Sequence, residues 1–339
     1  MTNKINKEDE KLYRKILHDA KQSLQGGPSE EEQRKIIKTG KNNARLTNIL
    51  ISLAIILLIL PILTLTTFVY YGFGGKADRL MDVAIYTVYV TEPNISLRPM
   101  EIEDDIGLFS MHVLFDVYKR IGKEDYKAGD YDILFNLSQP DFLKKNYYLD
   151  RPMPVPEIPT KEAERLLHPT AVIPFWVGEE WSKLNGLPDG TVAELYLSLS
   201  EVLDPAEVSQ LMPKGVEVRW LAVDTGLEAE QQDVDGLPLT PIGYPVQVDS
   251  TTWSPFNGRE KSNQEVFLDL LDTMEQNEDV AVKVASAKSL ALNERIAYLK
   301  ENDIKVYGAV VTGPTPELRK LKDVKEFRAM KVGEVKLWN

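Results

Sequence analysis

The sequence contains no cysteine and only three histidines in 339 residues. Without cysteine the chain can form no disulfide scaffold, no thiolate zinc site and no cysteine nucleophile. The histidines, His18, His112 and His168, are too few for a histidine-rich metal site. The patterns of a nucleophile elbow, a P-loop, a dinucleotide-binding turn, an HExxH zinc site and an EF-hand loop are also missing. We therefore expect no catalytic residues, no metal and no cofactor.

Charge of one sign dominates the chain, but its distribution is uneven. The formal net charge of −12 argues against direct binding of nucleic acid. The first 45 residues contain eleven Lys or Arg against seven Asp or Glu, a net charge of +4. The remainder has a net charge of −16. The sign changes at a long segment that contains no charged residue.

That segment, residues 46–75, predicts a membrane span. Residues 49–65 are almost wholly aliphatic, and about 20 apolar residues in a helix cross the ~30 Å hydrocarbon layer. Pro61 would break a soluble helix but is tolerated in a membrane helix. We predict one transmembrane helix at 46–71, anchored in the lipid bilayer by Arg45, Tyr70 and Tyr71 at its ends. A buried core helix and a cleaved signal peptide are the alternatives, but 45 polar residues before the apolar run disfavour a signal peptide.

Basic residues before the span predict its orientation. Five cations precede it without an intervening acid: Arg34, Lys35, Lys38, Lys41 and Arg45. Only two follow it closely, next to an acid. By the positive-inside rule, the N-terminus lies in the cytoplasm and residues 72–339 lie outside the cell membrane.

The cytoplasmic segment, residues 1–45, reads as two short helices separated by a Gly-Gly-Pro sequence. Ser29 and Glu32 have the spacing of a capping box that starts the second helix. Apolar residues at spacings of three and four give the first helix one apolar face that can bind a partner protein. The predicted binding residues are Tyr13, Ile16, Leu17, Ala20 and Leu24, extended by Ile36 and Ile37. The alternative is an amphipathic helix lying on the inner leaflet.

Outside the membrane we expect a membrane-proximal region at 72–149, a proline-rich linker at 150–160 and a C-terminal domain at 161–339. In the membrane-proximal region, the pattern of apolar residues predicts a strand at 83–91, a helix at 110–121 containing a buried His112, and a strand at 131–137. In the C-terminal domain, strands at 191–200, 216–224, 305–312, 328–332 and 334–338 alternate with helices at 263–277 and 289–302. A long loop is expected at 226–256. Such alternation is typical of an α/β or α+β fold.

The C-terminal stretch 305–339 resembles the C-terminal domain of the sigma factor regulator family. The resemblance depends on Tyr307, Gly308, Thr312, Gly313, Pro314, Glu317, Leu318 and the closing VGEVKLW at 332–338. The whole layout is similar to the anti-sigma-M factors of the YhdL type from Gram-positive bacteria. These proteins have a short cytoplasmic segment, one membrane helix and an extracytoplasmic regulator domain.

The resemblance implies a membrane-anchored anti-sigma factor. Its cytoplasmic segment would sequester an extracytoplasmic-function sigma factor, and its outer domain would sense the cell envelope or bind a second small membrane protein. Zinc-binding anti-sigma domains use a histidine together with a CxxC motif, and this chain contains no cysteine, so metal-free helices must make the contact. An anchored cell-wall enzyme and a structural envelope component are the alternatives.

Overall fold

The computed structural model describes residues 2–27, 29–148, 165–230, 239–247, 254–258 and 260–338, with the backbone alone at 2–8, 23–25, 99–102 and 142. The chain forms two compact units, Met1–Leu65 and Thr66–Asn339. The predicted proline-rich linker at 150–160 lies outside the described residues.

The first unit contains helix α1 (Thr2–Gln25) and most of helix α2 (Glu30–Gly72). The predicted capping box is confirmed: the backbone N–H of Glu32 donates to Ser29 Oγ at 3.3 Å, and the Ser29 N–H donates to Glu32 Oε2 at 2.9 Å. These bonds satisfy two amides at the start of α2, and three glutamates in its first turn complement the helix dipole. The helix then runs without a break through Pro61. It is long and apolar enough to cross a membrane, and its apolar stretch is unburied.

The second unit begins with the end of α2 and helix α3 (Lys76–Thr91). The strand predicted at 83–91 is wrong, because this segment belongs to α3. Nine residues of α3 are buried, on several sides of the helix. A helix that the surrounding protein buries on most sides has apolar residues on most sides and lacks the amphipathic pattern of a surface helix. Its valine, isoleucine and tyrosine residues are common in strands, which is why the sequence pattern indicated a strand. Burial of α3 in the core outweighed their low helix propensity.

A four-stranded antiparallel meander follows, formed by β1 (Ile95–Ile106), β2 (Ser110–Ile121), β3 (Glu124–Asn136) and β4 (Gln139–Tyr147). The helix predicted at 110–121 is wrong, because this segment is strand β2. Met111, Val113, Phe115 and Val117 are buried at a spacing of two, which is the period of a strand. His112 consequently lies on the opposite face, partly exposed. The strand predicted at 131–137 is confirmed within β3.

A five-stranded antiparallel sheet forms the rest of the second unit, in the order β7-β6-β8-β5-β9. Its strands are β5 (Thr191–Leu203), β6 (Glu217–Asp224), β7 (Gly243–Pro245), β8 (Lys305–Pro314) and β9 (Phe327–Leu337). The strands predicted at 191–200, 216–224 and 305–312 are confirmed. The two closing strands, predicted at 328–332 and 334–338, are the single strand β9. The predicted loop at 226–256 contains the short edge strand β7.

Helices fill the connections of this sheet: α4 (Val177–Gly186), α5 (Pro205–Gln210), α6 (Asn263–Glu275), α7 (Glu278–Val284), α8 (Leu292–Glu301) and α9 (Thr315–Leu318), with a 3-10 turn at Arg319–Asp323. The helices predicted at 263–277 and 289–302 are confirmed. One apolar core includes α3, the inner faces of both sheets and helices α6 to α8. The result is a β-rich α+β domain, separate from the long apolar helix.

Candidate functional site

Helix α1 presents one apolar face. At about 100° per residue, its apolar side chains from position 12 to position 20 fall within an arc of about 140°. These side chains are Leu12, Tyr13, Ile16, Leu17 and Ala20. All are exposed; the exposed fraction of Tyr13 is 67% and that of Leu17 is 40%. We call these five residues the α1 stripe. The side chain of Leu24, which the sequence also predicts on this face, is not among the described side chains.

The opposite side of α1 is polar. Glu10 accepts a hydrogen bond from Arg14 at 3.1 Å, one helical turn away, and both side chains are exposed. His18 is also exposed on this side. The helix is therefore amphipathic, and the described side chains of its apolar face are exposed. An exposed apolar face of this kind is typical of a segment that binds a partner.

Basic residues form a line along the first part of α2. By helical periodicity, Arg34, Lys38, Lys41 and Arg45 fall within about 60° of one another. They line a shallow depression together with Ile37 and Asn42. Ile37 therefore flanks the basic line, whereas Ile36 lies about 100° further round. Both isoleucines are exposed. Sequence reasoning found these residues but not their alignment, which requires the helix to be continuous.

Tyr70 and Tyr71, at the start of the second unit, contact its meander. Tyr71 is fully buried, and its hydroxyl donates to the carbonyls of Phe135 at 3.2 Å and Leu137 at 2.9 Å. The Tyr70 hydroxyl lies 2.7 Å from Ser138 Oγ. Both tyrosines thus join the end of α2 to the turn between β3 and β4. Their anchoring role at the membrane stays a prediction, as does that of Arg45.

The two sheets meet at a buried carboxylate that sequence reasoning missed. Glu194 on β5 is fully buried, and Lys119 Nζ from β2 lies 3.3 Å from both of its carboxylate oxygens. Asn94 donates to the same carboxylate at 2.8 Å, and Lys119 also donates to Tyr196 at 3.0 Å. Burial alone would raise the pKa of Glu194, but Lys119 and Asn94 hold that pKa below its usual value. The signal for this site in the sequence is a single acid within the otherwise uncharged strand at 191–199.

A second polar group lies between β6 and α8. Glu228 accepts hydrogen bonds from the Thr225 amide and hydroxyl at 2.7 Å, and Arg295 lies 3.2 Å from it. Burial raises the pKa of Asp224 and lowers that of His168, which lies 3.9 Å from Asp224. All five side chains are largely buried. The arrangement fastens the loop after β6 to the core.

His112 lies on the open face of the meander. Its Nδ1 is 2.9 Å from Asp132 Oδ1 on the neighbouring strand, and both side chains are about one-third exposed. Among the residues that the structure describes, no group of three His, Asp or Glu side chains is placed to hold a metal ion.

Comparison with known proteins identifies the family. The sigma factor regulator N-terminal model matches residues 34–126, and the sigma factor regulator C-terminal model matches residues 184–334. The chain is also 31% identical over 314 residues to the probable anti-sigma-M factor YhdL of Bacillus subtilis (strain 168). The alignment covers 92% of this chain and 85% of the Bacillus protein. The chain belongs to the sigma factor regulator family.

Members of this family are anti-sigma regulators and not enzymes. The N-terminal family model begins within α2 and includes the basic line, the apolar run, α3 and most of the meander. The C-terminal model covers most of the five-stranded sheet. Helix α1 lies before both matched regions. No solved structure matches the chain.

Proposed function

We propose that the protein is a membrane-anchored anti-sigma factor that holds an extracytoplasmic-function sigma factor at the inner face of the cell membrane. Membership of the sigma factor regulator family is the observation that carries this proposal. The long apolar helix α2 supports a single-pass anchor at 46–71. The basic line before the apolar run supports a cytoplasmic N-terminus and an extracytoplasmic C-terminal domain.

The α1 stripe is the contact surface in this proposal. Five exposed apolar side chains of this size bury about 400–600 Å² against a partner, which by itself gives a weak contact. The α2 cations add long-range attraction to an acidic surface of the sigma factor. Arg34, Lys38 and Lys41 lie within about four helical turns of the uncharged segment that begins at residue 46, and they bind anionic headgroups as well. The sigma factor would be confined to a thin layer next to the bilayer, away from RNA polymerase.

The extracytoplasmic domain would sense the envelope or bind a second small membrane protein. Its two sheets are connected by Glu194 and Lys119, so a ligand on one sheet can strain the other. An anchored cell-wall enzyme is not favoured. The close acid pair Asp224 and Glu228, which such chemistry could use, is buried and occupied by internal hydrogen bonds.

One pair of substitutions tests the contact surface in the full-length protein. Leu17→Asp places a charge within the α1 stripe, whereas Gln22→Asp introduces the same charge on the polar side of the same helix. We expect Leu17→Asp to release the sigma factor, because a partner cannot bury an unpaired carboxylate. Genes that share one promoter class would then be induced, as in cells depleted of the protein, and transcript profiling measures this.

The control variant Gln22→Asp should keep these genes repressed. If Leu17→Asp also keeps them repressed while depletion induces them, the contact lies elsewhere on the cytoplasmic segment. If depletion changes transcripts diffusely, with no shared promoter class, the anti-sigma function itself is contradicted.

A further inference from the structure

Two neighbouring turns of the meander expose apolar side chains. Leu108 and Phe109 lie in the turn between β1 and β2, and Leu137 lies in the turn between β3 and β4. Each of these side chains is between 43% and 44% exposed. The turns are joined to each other, because the Leu137 amide donates to the Phe109 carbonyl at 3.1 Å. We call these three residues the apolar turns.

The backbone at these positions makes the choice of residue unusual. Phe109 has a φ of 57° and Leu137 a φ of 56°. This left-handed conformation is sterically unfavourable for bulky side chains, and Gly, Asn or Asp is commonly found in it. Asn94, with the same φ of 57°, follows that rule. Phe109 and Leu137 are thus strained and exposed, so neither backbone geometry nor core packing explains their apolar side chains.

Hydrogen bonds fix the apolar turns beside the end of helix α2. The Phe109 amide donates to Thr67 Oγ1 at 3.1 Å, and the Leu137 carbonyl accepts from the Tyr71 hydroxyl at 2.9 Å. Thr67 and Tyr71 are buried on the side of α2 that faces the sheet. Phe68 and Val69, on other sides of the same two turns of helix, are about half exposed. Exposed apolar side chains therefore lie on this part of the helix as well as on the two turns beside it.

We propose that the apolar turns insert into the interface of the outer leaflet, so that the extracytoplasmic domain rests on the bilayer. This inference depends on the membrane anchoring in the proposed function. Thr67 follows the aliphatic run at 49–65 by two residues, about 3 Å along the helix axis. Side chains held at the level of Thr67 and Tyr71 therefore lie where the chain leaves the hydrocarbon layer. Exposed apolar side chains at that depth gain free energy from lipid contact.

The charge around the apolar turns indicates which lipid they contact. Residues 106–110 and 137–138 contain no Lys or Arg. Lys76 lies beside the turn between β3 and β4, because it donates to the Tyr70 hydroxyl that contacts Ser138, and Asp105 and Asp141 carry the opposite charge close to the turns in sequence, so charge of neither sign dominates there. Insertion is therefore driven by apolar contact and does not require anionic lipid. Zwitterionic phosphatidylcholine should suffice, in contrast to the basic line of α2.

Spin labelling of the full-length protein tests the proposal, and the cysteine-free sequence allows single labels. Leu108→Cys and Leu137→Cys place a label in each turn. Lys123→Cys is the matched control, since this exposed residue lies at the other end of the 12-residue strand β2, about 40 Å away. Ile56→Cys reports on the centre of the span. Each protein is reconstituted in phosphatidylcholine vesicles, and collisions with oxygen and with a water-soluble nickel complex on both sides are measured.

We expect labels at 108 and 137 to lose most of their collisions with the nickel complex while the label at 123 keeps them. If labels at 108, 137 and 123 are equally accessible and the label at 56 is protected, the domain does not rest on the bilayer, although the anchor stands. Access of the nickel complex to the label at 56 would overturn the anchor as well. Dipolar broadening at 137 that disappears on dilution with lipid would show that a second copy covers the turns, and would overturn contact with lipid.

Discussion

Glu194 is ionised in a fully buried position between two sheets. A carboxylate in such a site is stable only if positive charge and hydrogen-bond donors replace water. Lys119, Asn94 and the Glu334 amide supply them, the last at 3.4 Å. The pKa of Glu194 is below its usual value as a result, although burial acts in the opposite direction. Glu194 therefore stabilises the folded state when it is ionised, and this stabilisation is lost as the pH falls through its folded-state pKa.

We expect Glu194→Gln to lower the free energy of unfolding at pH 7 by about 3 kcal/mol, because Lys119 is left without its partner carboxylate. The variant should also lose less stability than the parent protein when the pH is lowered below about 4.5, since the titrating group is gone. Denaturant unfolding in detergent micelles, followed by tryptophan fluorescence between pH 3 and pH 8, measures both effects.

Glu201→Gln is the matched control. Glu201 lies on the same strand β5 and is exposed, so its substitution should change the unfolding free energy by less than about 0.5 kcal/mol. Equal effects of the two substitutions would contradict a stabilising role for the buried pair.

Strand β7 shows how close packing defines an element of three residues. Gly243 pairs with Ala222, and a Cβ atom at Gly243 would lie 1.9 Å from the Leu221 carbonyl oxygen and 2.6 Å from the Trp220 ring. Only glycine allows the two strands to approach this closely at that point. The edge of the five-stranded sheet therefore depends on this position.

We expect Gly243→Ala to destabilise the second unit by about 1–3 kcal/mol, because the new methyl group pushes β7 away from β6. Thermal unfolding of the purified full-length protein measures the change. The control is Gly190→Ala, where a Cβ atom would meet nothing within 4 Å. An unchanged midpoint for Gly243→Ala would mean that β7 shifts without loss of packing.

The sequence predicted an element correctly where the spacing of its apolar residues was clear. Such elements lie near the surface or in the five-stranded sheet. Helix α6 and strand β8 are examples, with a capping box at Ser262 and a continuous apolar strand pattern, respectively. Helix α3 and strand β2 were misread for opposite reasons. Burial on several sides removed the amphipathic period from α3, and the alternation in β2 was mistaken for a helical face.

At the scale of the whole molecule, the chain consists of two units that perform different tasks in the proposed function. The unit Met1–Leu65 carries the α1 stripe and the basic line, and the unit Thr66–Asn339 carries the core. The residues of the α1 stripe are exposed, so they add nothing to that core.

Deletion of residues 2–25 should therefore abolish repression of the sigma factor while the thermal midpoint of the second unit stays within about 1 °C of the parent value. The reason is that the described apolar side chains of α1 are exposed, so their loss removes no buried apolar area. Differential scanning calorimetry in micelles measures the midpoint, and transcript profiling measures repression. Full repression by the truncated protein would mean that α1 serves only as an anchor or is dispensable.

The linear sequence determined the distribution of charge, the length of the apolar run, the amphipathic face of α1 and the family pattern near the C-terminus, because each depends on neighbouring residues. It also determined the absence of cysteine chemistry. Only the tertiary structure decided that Glu194 meets Lys119, that Tyr71 is buried against β3 and that Phe109 and Leu137 lie beside Thr67. These contacts join residues 42 to 75 positions apart. Such contacts depend on how the sheets and helices pack, which no local pattern records.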